Sequence, residues 1–311
     1  MSDQNNDIFL YHRITNSKIL VQRIRSEIYR IIFDFFASNA FTYIDPPILH
    51  EQIPRKKHEI YLPLYNDRYS LSSSNALYLT AYSAHLGNVY SISPTFRNEQ
   101  NSVNHLVEFR MLEVEIQNMS YPELTDYVET LIKYILNALV ETKVVQSSQQ
   151  LFERVNDLIS EFHPQRIRYQ DFIRDILQGK NCTRSEHQTD PSNIDYVISQ
   201  KLKQPVFLTE YPRKYASWTA KPHNLECSCA INLMLSESYG ELCEGCERTN
   251  DTELLRYKMN CAGVTNLEWY LQAVSQIHVS RCGFGIGLDR LVRWIAGLPS
   301  ITDTLFFPRT Q

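Results

Sequence analysis

The chain has 311 residues, enough to bury one large core, with or without an insertion. A net charge of −4, with 21% charged residues, gives no basic surplus that would announce a nucleic-acid partner. No apolar run reaches membrane-spanning length and the polar N-terminus lacks a signal-peptide pattern, so no membrane partner is expected. A cytoplasmic location follows, with the seven cysteines as reduced thiols.

Residues 1–17 form a polar lead-in. Ile19, Leu20, Ile24, Ile28, Ile31, Ile32 and Phe35 recur at helical spacing, which predicts an amphipathic helix over about 18–37. Phe41 to Ile44 then begins a strand that stops at Pro46-Pro47. His50 to Leu62 carries the cationic run Arg55-Lys56-Lys57, which suits a solvated loop or one that attracts phosphate or carboxylate. Val89 to Ile92 is a strand leading into Ser93 to Gln100 and on through Met111 to Glu115, a strand–polar loop–strand pattern. Along this hairpin stand Arg97, Glu99, His105, Phe109, Glu113 and Glu115. Arginine offers a fork for phosphate oxygens, carboxylates suit Mg²⁺, and phenylalanine offers a stacking face for a base. The other reading is a hairpin with solvated charges on one face.

Leu124, Val128, Leu131, Ile132, Ile135 and Leu139 predict a helix over 121–142. Residues 150–178 read as mixed helix and loop, and Pro205 to Leu208 as a strand. Cys227 to Leu235 is a strand that turns into Glu241 to Arg248. Cys227, Cys229, Cys243 and Cys246 have the donor count of a zinc site. Strand alternation, however, places Cys243 and Cys246 on opposite faces, which favours buried thiols. Finally, Gly283-Phe-Gly-Ile-Gly287 feeds an amphipathic helix with Arg290 in its first turn. Its glycines would let a ligand approach the backbone.

The Phe-Arg-x-Glu hairpin (Phe96 to Glu99), followed by the glycine-rich strand and helix, resembles motifs 2 and 3 of the class II aminoacyl-tRNA synthetases. The match is to the asparaginyl/aspartyl branch and runs from about residue 10 to 311. It implies an α+β fold with a central antiparallel sheet flanked by helices. It also implies a catalytic domain over 18–311, an insertion over about 143–200, and a homodimer built by the first helix and strand.

The resemblance implies ATP and Mg²⁺ as cofactors and assigns roles residue by residue. Arg97 would clamp the α-phosphate and Glu99 read the adenine amino group. His105 would contact the outer phosphates, with Phe109 under the base. Glu241 would serve as the metal carboxylate, with Asn232 in place of a second metal-binding Asp. Gly287 would lie against ATP, and Arg290 would cover the adenine and reach the terminal phosphate. Arg97 and Arg290 would be catalytic. Ser74, Glu244 and Arg248 would bind the substrate, Arg248 through an acidic group.

Departures fall on the amino-acid half of that site. Arg55, Lys56 and Lys57 stand where the family has a mobile Glu-Gly-Gly. Ala76 and Leu79 replace a Gln and a Lys, Ala216 to Thr219 replace Lys-Ala-Phe-Tyr, and Asn104 replaces an Arg. The family's anticodon-reading OB-fold has no counterpart in this sequence, so tRNA is the less expected partner. The implied activity is ATP-dependent activation of a small-molecule acid, aspartate- or asparagine-like or modified, followed by transfer to an amine, ammonia or another nucleophile. The freestanding archaeal asparagine synthetase related to asparaginyl-tRNA synthetase is a similar case. The competing readings are an asparaginyl- or aspartyl-tRNA ligase or aspartate–ammonia ligase, and a non-catalytic regulator that binds ATP or tRNA.

Overall fold

The structure is a computed structural model that describes residues 15–51, 60, 69–98, 102–178, 202–264 and 266–308. The Arg55–Lys57 run and Glu99 lie outside the described residues.

Helix α1 (Asn16–Ser38) is capped by Thr15, whose hydroxyl accepts from the Lys18 N–H. It buries Ile24, Ile28, Ile31, Ile32 and Phe36 along one stripe, as the apolar spacing predicts. Among the described residues, eight strands form one sheet. They are β1 (Thr42–Tyr43), β4 (Val89–Phe96), β5 (Glu108–Gln117), β10 (Arg281–Gly287), β9 (Gly240–Glu247), β8 (Ala230–Leu235), β7 (Val206–Thr209) and β6 (Gln165–Arg168), in that spatial order. The pairs β1–β4 and β6–β7 at the two edges are parallel and the rest are antiparallel. A small ribbon of β2 (Leu49–Glu51) and β3 (Tyr69–Leu71) stands apart.

Side-chain alternation divides the sheet into a packed face and a working face. Leu112, Val114 and Ile116 of β5, and Cys282, Phe284 and Ile286 of β10, point into the main core. That core also takes α1, α3 (Tyr121–Val140), α4 (Lys143–Gln146), α5 (Gln149–Glu161) and α9 (Leu288–Ala296). Helix α3 starts with a capping box between Ser120 and Glu123 and a proline in its first turn. Buried Asp289 ties α9 to its surroundings. It pairs with Arg25 of α1 at 2.7 Å and accepts the Arg110 backbone N–H of β5 at 2.7 Å.

The opposite face carries Glu113 and Glu115 of β5 and, across from them in register, Gly285 and Gly283 of β10. Helix α2 (Ala76–Leu86) covers part of this face, and α6 (Tyr169–Gln178), α7 (Thr252–Cys261) and α8 (Glu268–Ser275) complete the framework. A bulge sets the phase of β9: Leu233 pairs with Cys243, but Met234 pairs with Glu241. Leu242 and Cys243 therefore both enter the core, while Glu241 shares the working face with Glu244, Cys246 and Arg248. Cys243 and Cys246 lie in different apolar clusters, as alternation predicted. The six described cysteines form no disulfide, and burial raises the pKa of both the Cys243 and Cys246 thiols. No described helix is long and apolar enough to cross a membrane.

Candidate active site

Two neighbouring regions of the working face hold the residues singled out in the sequence. The first lies where the β4–β5 loop, the start of β9 and α9 meet. Arg290, in the first turn of α9, donates through Nη1 to the Glu241 carbonyl and through Nη2 to the Asn104 carbonyl at 3.0 Å. Asn104, which replaces the expected arginine, is buried. Its Oδ1 also accepts from Arg293, so it pins the loop to α9. His105 beside it bonds Ser102 Oγ through Nδ1 at 2.8 Å.

Arg97 donates from Nε to the Ser73 carbonyl at 3.3 Å, and its guanidinium sits 5.5 Å from the Phe109 ring centroid. The arginine expected on phosphate and the ring expected under a base are thus in contact with each other. Gly287 caps α9, and a Cβ there would meet only Arg290 Cβ, at 3.8 Å, so the space before it is open.

The carboxylates of β5 do not behave as the hairpin alone suggests. Glu113 accepts from Ser74 Oγ at 2.6 Å and from the Asn75 N–H at 2.8 Å. Glu115 accepts from Thr80 Oγ1 at 3.1 Å and from Arg281 Nη1, and faces Arg248 Nε at 3.4 Å. Both are buried and engaged by protein donors, whereas Glu241 at the Arg290 end is half-buried. Asn232, opposite Glu244 in register, donates its amide N–H to Glu241. Among the described residues no three His, Cys, Asp or Glu side chains come together as a metal site.

The second region is a cavity of about 1320 Å³. Ser74, Glu244 and Arg248 line it, as do the replacement residues Ala76 and Ala216. Leu79 does not reach it. It is 1% exposed and packs with Ile44 and Val89, so its change of side chain affects the core and not the site. Tyr78 and Trp269 stack at 5.0 Å on one wall, and Trp218 stands edge-on to Tyr270 at 5.5 Å.

Arg248 holds the floor. Its side chain is 10% exposed, and Nη1 donates to Thr219 Oγ1 at 2.8 Å and to Cys246 Sγ at 3.2 Å. Burial opposes its charge, but the Cys246 thiol and Glu115 outweigh that and raise its pKa, so it stays a cation. Fully buried Arg281 shares Glu115 with it, and sequence reading missed this residue altogether. The floor therefore carries two arginines against one carboxylate. Gly283 makes room for this group, since a Cβ there would collide with both Arg248 and Glu115. This glycine is required by the protein's own side chains and not by the approach of a ligand.

A profile of the family described as tRNA synthetases class II (D, K and N) matches residues 7–311. The chain belongs to the class II tRNA synthetases. Among solved class II synthetase structures, that of asparaginyl-tRNA synthetase from Pyrococcus horikoshii complexed with asparaginyl-adenylate superposes with a TM-score of 0.85. It is 26% identical, and the match covers 98% of this chain and 72% of that one. The Entamoeba histolytica asparaginyl-tRNA synthetase in complex with asparaginyl-adenylate gives a TM-score of 0.85 at 22% identity, covering 99% and 70%. A putative aspartyl-tRNA synthetase from Leishmania major Friedlin gives 0.77 at 20% identity, covering 94% and 65%. At these lower identities the likeness is one of fold. The α+β architecture expected from the class II motifs is therefore the observed one.

Proposed function

We propose that this class II synthetase-like chain is an ATP-dependent ligase that activates a carboxylic acid as its acyl-adenylate and passes the acyl group to an amine, ammonia or another nucleophile. The observation that carries the reading is the arrangement of β9. Its bulge puts Glu241, beside Arg290, on the same face as Arg248, which directly follows the strand and lines the cavity floor. An acid anchored at Arg248 would then direct its carboxylate toward a nucleotide held at the Glu241–Arg290 end.

In this reading the acid's carboxylate oxygen attacks the α-phosphorus of ATP. The bond from that phosphorus to the bridging oxygen breaks, and pyrophosphate leaves with the electron pair. Arg97 and Arg290 neutralise the charge that develops on the phosphates, and the work is mainly positioning and electrostatics. Glu241, with Asn232 beside it, would hold Mg²⁺, which when bound would supply neutralisation of phosphate charge. Phe109 would take the adenine, with Arg97 moving from its ring to phosphate. His105 would face the outer phosphates, Gly287 would give the nucleotide room, and Glu99 would read the base. Ser74 and Glu244 would complete the acid's contacts.

A biosynthetic amide-forming role, in preference to tRNA charging, rests on the altered amino-acid half. Ala76 and Ala216 line the cavity where the family pattern has polar side chains, and each lost buried hydrogen bond costs about 1–3 kcal/mol. The reading includes a cytoplasmic homodimer. Phe33, Tyr43, Ile48 and Leu49, each 38% to 51% exposed on α1, β1 and the segment into β2, support a self-associating surface.

The test is the nucleotide product. With Mg²⁺, ATP, an acid panel and ammonia or an amine, the ligase releases AMP and pyrophosphate in step with amide formation. Release of ADP and phosphate, or AMP release only with tRNA present, contradicts the proposal.

A further inference from the structure

We propose that Lys258, together with Arg213, forms an oxyanion subsite beside Arg248, and that the acid this chain takes therefore carries a carboxylate or phosphate beyond the group that Arg248 faces. The inference deepens the ligase reading by naming the substrate class, and it rests on that reading only for calling the ligand a substrate.

Lys258 lies on α7, half-buried, on the wall of the cavity whose floor is Arg248. Its ammonium donates to the Ala220 carbonyl at 2.6 Å, and its other two N–H groups meet no acceptor among the described residues. Ala220 follows Thr219, whose hydroxyl takes Arg248 Nη1 at 2.8 Å. Arg248 and Lys258 are thus each held by one of two consecutive residues, and both line the same cavity.

Arg213 lines the same wall, and its guanidinium makes one long contact, 3.5 Å to the Leu225 carbonyl. Neither it nor Lys258 has a carboxylate within 4.0 Å among the described residues. The same holds for Lys214, whose ammonium rests 4.4 Å over the Tyr215 ring. Burial first, and then the charge of Arg213, lower the pKa of Lys258.

A half-buried ammonium near the exposed Arg213 guanidinium, with no carboxylate partner among the described residues, is an unfavourable arrangement for the empty cavity. It becomes favourable when an anion joins it. Arg248 differs in having a carboxylate in reach, Glu115 at 3.4 Å, although it shares that carboxylate with Arg281.

Calorimetric titration of the full chain without ATP tests the subsite apart from any adenylation. The first pair of probes is tricarballylate against succinate, which differ by one carboxylate. The second is O-phosphoserine against serine, which differ by a phosphate. The wild-type chain is expected to favour the member with the added anion by at least about tenfold in one pair, and the pair identifies carboxylate or phosphate. Lys258→Met abolishes that preference and Lys258→Arg keeps it, with thermal unfolding showing that both variants fold. If Lys258→Met does not fold, Arg213→Met is read instead and is expected to reduce the preference. Absence of a preference in both pairs, or a preference that survives Lys258→Met, overturns the proposal. Binding preference without pyrophosphate exchange would leave the subsite standing and remove the ligase reading.

Discussion

Among the described glycines, Gly283 leaves a Cβ the least room. Its missing Cβ is the space in which Arg248 and Glu115 meet, so Gly283→Ala forces both groups from the floor of the cavity. Overpacking of this kind destabilises by about 1–3 kcal/mol, and acid-dependent turnover should fall further than stability does. Kinetics alongside denaturant titration check the difference. Asp289→Asn removes the anion from its buried pair with Arg25 and should lower stability by about 3–5 kcal/mol, read from the denaturation midpoint.

His50 gives a pH dependence with a defined sign. Its ring nitrogen Nε2 lies 3.1 Å from both the Pro47 carbonyl and Asn75 Oδ1, and burial lowers its pKa below 6.5. Just below pH 6.5 the unfolded chain takes up a proton there while the folded chain resists it, so protonation favours unfolding. The account predicts that stability drops as pH falls through that value. In His50→Gln the drop between about pH 7.5 and about pH 5.5 should be smaller.

Helix α3 shows how local chemistry and packing cooperate. Ser120 and Glu123 satisfy each other's end groups, and one stripe of the helix fills the core beneath the sheet. Ser120→Ala should cost about 1 kcal/mol, measured by urea titration, because the stripe persists when the cap is lost. Helix α1 was equally readable, since its apolar residues repeat at helical spacing over its whole length. Its outer side and β1 carry Phe33 and Tyr43, whose rings lie 5.3 Å apart. If that side forms the dimer contact, Phe33→Asp should convert dimer to monomer in light scattering. An unchanged mass would place the contact elsewhere. Strand β6 went unread because its sequence, Gln165 to Arg168, is polar. It is a strand only because Val206 to Thr209 offers a parallel edge.

The class of fold was legible because its signatures are local: a hairpin with Phe-Arg-x-Glu, and a glycine strand feeding an arginine-bearing helix. Arg97, Phe109 and Arg290 stood out for the same reason, and Glu241 and Arg248 only through the family resemblance of the segment that carries them. What sequence could not give were the pairings that make a site out of separate strands. Glu115 and Arg281 are 166 positions apart, and nothing near either one marks a buried pair. Nothing in the sequence around Lys258 marks it, and only the fold brings the Ala220 carbonyl and Arg213 near it. The glycines of β10 look alike in sequence, yet Gly283 accommodates the protein's own ion pair while Gly287 faces open space.

The central claim is that these parts form an adenylating site, and pyrophosphate exchange into ATP tests it most directly. The measurement uses Mg²⁺ and a panel of acids headed by aspartate and asparagine and extended to acids with a further carboxylate or phosphate, with Arg97→Ala as the control. The account predicts exchange that depends on one acid and is lost in Arg97→Ala. Measurable ATP binding with no exchange for any acid in the panel would contradict it and favour a nucleotide-binding regulator.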